Sequence, residues 1–141
     1  MENEKMMEMV MHQTNSKLTA EQIAGQVEAA CNKYSVALLQ TYIYHDIVES
    51  KGFPIQRKVF VYNICQAKTA AMMLTTNPEF STFMPCTLAV YESGDKTVLS
   101  TMNMEIMLEA VKSNIELYNQ ASNLFKLFKQ MMDELADGKL N

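Results

Sequence analysis

Apolar positions recur in this chain at two spacings, every second residue and every third or fourth, and the switches between them mark out its elements. Met7, Met9 and Met11 alternate with Glu8, Val10 and His12, which predicts a strand over 6–13. Asn15, Ser16 and Lys17 break the alternation, and Thr19 with Gln22 forms a capping box. Ile23, Val27, Ala30, Cys31 and Tyr34 then fall on one stripe of a single helix. Residues 36–45 are rich in branched and aromatic side chains and predict a second strand. Asp46 and Glu49, three apart, read as another capping box; the short helix it opens, over 47–51, ends at Gly52, with Phe53-Pro54 as the turn.

From Ile55 the chain runs into a third strand, Val59-Phe60-Val61-Tyr62-Asn63-Ile64-Cys65. A helix over 68–74 follows, with Ala70, Met73 and Leu74 inward, and Asn77-Pro78 stops it because proline disfavours a helical residue before it. A coil with Phe80 and Phe83 leads to a strand opening at Cys86, and Ser93-Gly94-Asp95 is a hairpin turn into its partner over 97–102. Asn103 caps a helix carrying Met104, Met107, Leu108 and Val111. The last helix presents Leu117, Ala121, Leu124, Phe128, Met132 and Leu135, with Phe125, Leu127 and Met131 off that stripe. It is therefore buried on more than one side, under its own domain or against a second subunit. The order of elements predicts an α+β fold: one domain spanning 1–141, a largely antiparallel sheet of about five strands, helices packed on one face, and a long C-terminal helix.

Composition narrows the functional classes. The chain has 141 residues, 48% hydrophobic and 20% charged, with a formal charge of −4, enough for one self-sufficient core and no basic face. Its densest cationic group is Arg57-Lys58, so no nucleic-acid partner is expected. No segment approaches the roughly 20 apolar residues of a membrane span. The start, Met1-Glu2-Asn3-Glu4-Lys5, is too acidic and polar for a signal peptide. A soluble, cytoplasmic protein with its three cysteines as thiols is the expectation. Four glycines, none in a phosphate-cradling loop, and the lack of a Gly-x-Ser-x-Gly elbow remove the common nucleotide and hydrolase motifs.

The side chains that could carry chemistry are few. Cys65 lies at or just before a helix start, where backbone N–H groups favour a thiolate; equally, it and Cys86 can be buried as small hydrophobes. Cys31 falls in the helix stripe and reads as core. His45-Asp46 could orient an imidazole, but neighbours on a strand point to opposite faces, and Asp46 can simply be a helix cap. Cys65, Cys86, His12, His45 and Asp46 lack the paired spacing of a zinc site, so neither a metal nor another cofactor is expected. Thirteen methionines, with Met7, Met9 and Met11 along one predicted strand face, would suit Cu(I) or, as adaptable filler, a core or interface.

The two cysteine segments carry a resemblance. Ile64-Cys65, Ala67, Thr69, Ala70 and Leu74, Pro78, Met84-Pro85-Cys86, Val90-Tyr91-Glu92 and a glycine turn, with Tyr44-His45-Asp46-Ile47 and Lys51-Gly52 upstream, resemble the family called domain of unknown function 302 over about 19–101. The resemblance implies a TATA-binding-protein-like α+β fold, often a homodimer, and no established activity. Gln66-Ala67 stands where relatives often carry Asn-Pro, which alters the start of the following helix. The family fold also implies antiparallel cysteine-bearing strands, hence Cys65 and Cys86 at one end of the sheet, within reach of a shared small-molecule or thiol ligand. The favoured reading is a non-catalytic ligand-binding module, homodimeric, with its candidate site at Cys65, Cys86, His45 and Asp46. Thiol-based sulfur or electron transfer through Cys65 and Cys86, and a structural assembly subunit, are the alternatives.

Overall fold

A computed structural model describes residues 2–140. The chain forms α1 (Glu2–Val10), β1 (Met11–Ser16), α2 (Ala20–Ala24), α3 (Val27–Lys33), β2 (Ala37–Ile43), α4 (Tyr44–Ser50), β3 (Val59–Cys65) and α5 (Ala67–Thr76). A 3₁₀ turn, Pro78–Phe83, then leads to β4 (Cys86–Ser93), β5 (Lys96–Met102), α6 (Glu105–Val111) and α7 (Ile115–Asp137). The five strands form one sheet in the order β1-β5-β4-β3-β2, antiparallel throughout, so the α+β expectation with a long C-terminal helix is met.

Side chains alternate across the sheet. On β3, Phe60, Tyr62 and Ile64 are buried while Val59, Val61, Asn63 and Cys65 are half-buried, and β4 sends Leu88 and Val90 to the same inner side. That inner face packs against Ile23, Val27, Ala30 and Cys31 of α2 and α3 and against Leu124, Phe125, Phe128, Met131, Met132 and Leu135 of α7. A smaller cluster joins Met73 of α5, Val111 of α6, and Leu117 and Ala121 of α7. The width of α7 is thus used within its own domain: Phe125 and Met131, off the main stripe, are both buried. Its start is capped by Asn114, whose Oδ1 accepts from the Leu117 N–H, and its end by Gly138 in the left-handed conformation (φ 69°). Ser16 of β1 donates to the carbonyl of Ala136, 2.6 Å away, tying the edge strand to that end.

Four local expectations are corrected. The strand over 6–13 is a helix through Val10 and a strand only from Met11. Glu, Lys and Met are strong helix formers, and Glu2 and Glu4 sit in the first turn where the dipole favours them. Met7 and Met9, two apart on a helix, point to opposite sides, so Met7, Met9 and Met11 do not share one face. The single helix after Thr19 is two, since the Gln26 N–H turns to the Ile23 carbonyl three residues back, next to Gly25. Its capping box at Thr19 and Gln22 is present. The second strand stops at Ile43, and α4 begins at Tyr44, so Asp46 lies inside the first turn and is not the cap. Residues 78–83 form a 3₁₀ turn where coil was expected.

Candidate functional site

Cys65 and Cys86 do lie at one end of the sheet. Ile64 is the register partner of Cys86 and Ala37 that of Cys65, so the two cysteines are one position out of step on neighbouring strands. Alternation sends them to opposite faces: Cys86 joins Ile64 and Leu38 under the helices, and Cys65 faces the other way with Asn63 as its next neighbour on that side. Burial, and then the charge Cys65 would carry as a thiolate, push the Cys86 thiol up to about 11, which leaves it a poor nucleophile near neutral pH. Cys31 is likewise held near 11, by burial and by Glu28. The five main clefts among the described residues are lined by neither Cys65 nor Cys86.

Beside Cys65, the side chain of Gln66 does not cap α5. Its Oε1 instead accepts from the Thr69 hydroxyl and from Nε2 of Gln120 on α7, and Gln120 also donates to Thr69 at 3.0 Å. In place of the Asn-Pro helix start, this chain has a polar tie between α5 and α7 with Thr69 buried.

His45 and Asp46 sit at the far end of β3, about 20 Å from Cys65 for six residues of strand. Where β2 stops pairing, the His45 ring takes over: Nδ1 accepts from the Val59 N–H at 2.9 Å, and the ring stands edge-on to Phe60. Nδ1 also lies 3.2 Å from the Val59 carbonyl, and Nε2 is 3.9 Å from Asp46 Oδ1. Both residues border a cleft of about 290 Å³ with Arg57, Lys58, Glu49 and Glu92, where charges of both signs face solvent. His12 packs edge-on to Phe125 on the inner face. The four candidate site residues therefore lie near opposite ends of β3, Cys65 and Cys86 at one and His45 and Asp46 at the other, and no three His, Cys, Asp or Glu side chains among the described residues converge as ligands.

The outer face of the sheet holds what the sequence reading missed. Its cross-strand rows run Asn15-Val98-Tyr91-Val59, Gln13-Ser100-Ala89-Val61-Tyr42 and Thr87-Asn63-Gln40, with Met11 opposite Met102. Apart from Lys96, which pairs with Ser93 at the start of β5, none of the positions on this face is charged, whereas the solvated face of an antiparallel sheet normally alternates to polar and charged residues. Helix α1 overhangs the β1-β5-β4 part. Between them lies a cleft of about 720 Å³, bordered by Asn3, Glu4, Met7 and Glu8 above and by Gln13, Asn15, Tyr91, Ser93, Lys96 and Val98 below. On the floor Gln13 Nε2 donates to the Tyr91 hydroxyl at 3.0 Å and to Ser100 Oγ at 3.4 Å. Lys96 is the one cation among the lining residues, which also include Glu4 and Glu8.

No helix among the described residues is long and apolar enough to cross a membrane. The family model for "Domain of unknown function DUF302" matches residues 12–135. A solved structure, an uncharacterized conserved DUF302 protein from Bacillus stearothermophilus, superimposes with a TM-score of 0.75 at 18% identity, over 89% of this chain and 97% of that one. At that identity the likeness concerns the fold. No curated protein matches.

Proposed function

The chain belongs to the DUF302 family, whose description assigns no activity, and from that premise we propose that it is a non-catalytic binding module, homodimeric, that takes a small polar ligand in the cleft between α1 and the outer sheet face. The observation that carries this reading is the floor of that cleft. Gln13, Tyr91 and Ser100, from three different strands, converge in one hydrogen-bonded set, and the volume of about 720 Å³ is that of a small-molecule site. With Lys96 on the floor and Glu4 and Glu8 on the roof, the matching ligand carries an acidic group and an ammonium or amide donor, as a free amino acid or short peptide does. The cleft is better supported than the Cys65 end, which has no comparable cavity, and thiol transfer is disfavoured by the high pKa of its resolving partner, Cys86.

Titration of the ¹⁵N-labelled protein with free amino acids and dipeptides up to about 10 mM tests this. Saturable shifts are expected at Gln13, Tyr91 and Lys96, with about tenfold weaker binding in Lys96→Ala and no change in Cys65→Ser. Saturable shifts centred on Cys65, or none with any probe, would overturn it.

A further inference from the structure

The helices do not cover the whole inner face of the sheet. On β3 that face is sealed, with Phe60, Tyr62 and Ile64 at 8%, 3% and 1% exposure. Their register partners on edge strand β2 are more open: Ile43 and Thr41 are exposed, and Leu38 is half-buried. The gap lies at the junction of α2 and α3, where Ala24 and Gly25 put little side chain over the sheet. The result is a cleft of about 330 Å³ with Phe60 and Tyr62 at its base, Val27 on the helix side and the three β2 side chains opposite. It is on the other face of the sheet, and at the other edge, from the cleft under α1.

One polar group in this cleft is left over. The buried hydroxyls of Ser16, Thr69, Thr97, Ser100 and Thr101 all hydrogen-bond within the chain. The Tyr62 hydroxyl, on a side chain as buried as any of these, has no partner among the described residues. No fully enclosed side-chain oxygen or nitrogen among those residues lacks a partner, so this hydroxyl is not sealed in; its small remaining exposure opens into the cleft that Tyr62 lines. Burial pushes its ionisation up to about 12, so near neutral pH it stays a protonated phenol with a free O–H donor.

We propose that this cleft is a second binding site, for a small neutral molecule with an apolar body and a carbonyl oxygen that accepts from the Tyr62 hydroxyl. The walls set the apolar body: Val27, Leu38, Ile43 and Phe60 offer no charge and no free donor. The hydroxyl sets the oxygen, because a donor held among apolar side chains gains most from an acceptor that arrives with the ligand. Charge sets neutrality. Glu28 is the one ionisable group at the rim besides Tyr62 itself; it repels an anion, and either sign of charge loses its hydration against these walls. A volume of about 330 Å³ holds roughly ten groups of water size, at ~30 Å³ each, which fits a single ring with a short substituent.

Titration of the ¹⁵N-labelled full chain with acetophenone, a neutral aromatic ketone, up to about 10 mM tests the site. Saturable shifts are expected at the amides of Val27, Thr41 and Ile43, half-complete near about 1 mM, as a ligand of this size allows. Tyr62→Phe removes the hydroxyl and no bond within the chain, so it should weaken acetophenone about fivefold. The same variant should not weaken α-methylstyrene, which has a CH₂ group in place of the oxygen. Benzoate, bringing a carboxylate beside Glu28, should fail to saturate on the wild type. The site is overturned by the absence of saturable acetophenone shifts at these amides, by benzoate binding as well as the ketone, or by a Tyr62→Phe variant that weakens neither ligand or both alike. The reporting amides differ from Gln13, Tyr91 and Lys96, so this site and the cleft under α1 can each fail without the other.

Discussion

The two terminal helices treat their apolar residues in opposite ways. Helix α7 presents apolar side chains around much of its circumference and buries nine of them, from Leu117 to Ala136, against the sheet on one side and the Met73-Val111 cluster on the other. Helix α1 carries apolar side chains at comparable density, Met6, Met7, Met9 and Val10 among nine residues, and buries none. An apolar stripe on a helix is therefore not in itself a sign of a partner. The wide face of α7, which by sequence could have met a second subunit, is consumed at home, and the unexplained apolar surface lies at the other end of the chain. The two helices also differ in their fastening, since α7 has an Asn cap, a left-handed glycine stop and a carboxylate clamp, whereas α1 is linked mainly through its continuation into β1 and the Val10 carbonyl's bond from the Asn103 N–H.

The sharpest way to break that contrast is to truncate the best-buried aromatic of α7. Phe128 is 1% exposed and touches the main core. Phe128→Ala should cost about 3–5 kcal/mol of unfolding free energy, read from urea denaturation, because it removes both transfer energy and the packing around the ring. A loss below about 1 kcal/mol would mean that α7 is not the spine of the fold.

A smaller effect comes from the clamp between α3 and α7. Lys33 Nζ lies 3.0 Å from both oxygens of Glu134, and the Tyr34 hydroxyl donates to the same carboxylate. These hydrogen bonds, Tyr34 first and Lys33 second, hold the Glu134 carboxyl below its usual range. A carboxyl depressed in the folded state contributes stability above its unfolded pKa of about 4.3, and that contribution is lost as pH falls through the lower folded value. The urea midpoint of the wild type should therefore exceed that of Glu134→Gln near neutrality, with the gap closing below about pH 4. A gap that stays constant with pH would assign the effect of the substitution to packing.

Much of the fold was legible because it follows local rules. The alternation in 59–65, the Ser93-Gly94-Asp95 turn, the Thr19 capping box and the stripe of α7 each carry their period and punctuation within a few residues. In the structure that alternation puts Phe60, Tyr62 and Ile64 inward and Cys65 outward, an assignment the sequence reading did not make. What escaped has a nonlocal cause. His45 ends a strand by bonding to Val59, fourteen residues away, and no local signal announces that. The cleft is assembled from Gln13, Tyr91, Lys96 and a helix whose Met-Glu alternation mimics a strand, so its parts meet only once the register of β1, β5 and β4 is known. Cys65 and Cys86 were conspicuous in sequence because thiols are rare, and the two proved to serve different faces of the sheet.

The smallest effect tests the contrast most directly. Met6→Ala and Met9→Ala together should change unfolding free energy by less than about 0.5 kcal/mol, since exposed side chains lose no packing and alanine favours the helix. A cost above about 1 kcal/mol would show that α1 belongs to the intramolecular core after all, and the two helices would differ only in degree.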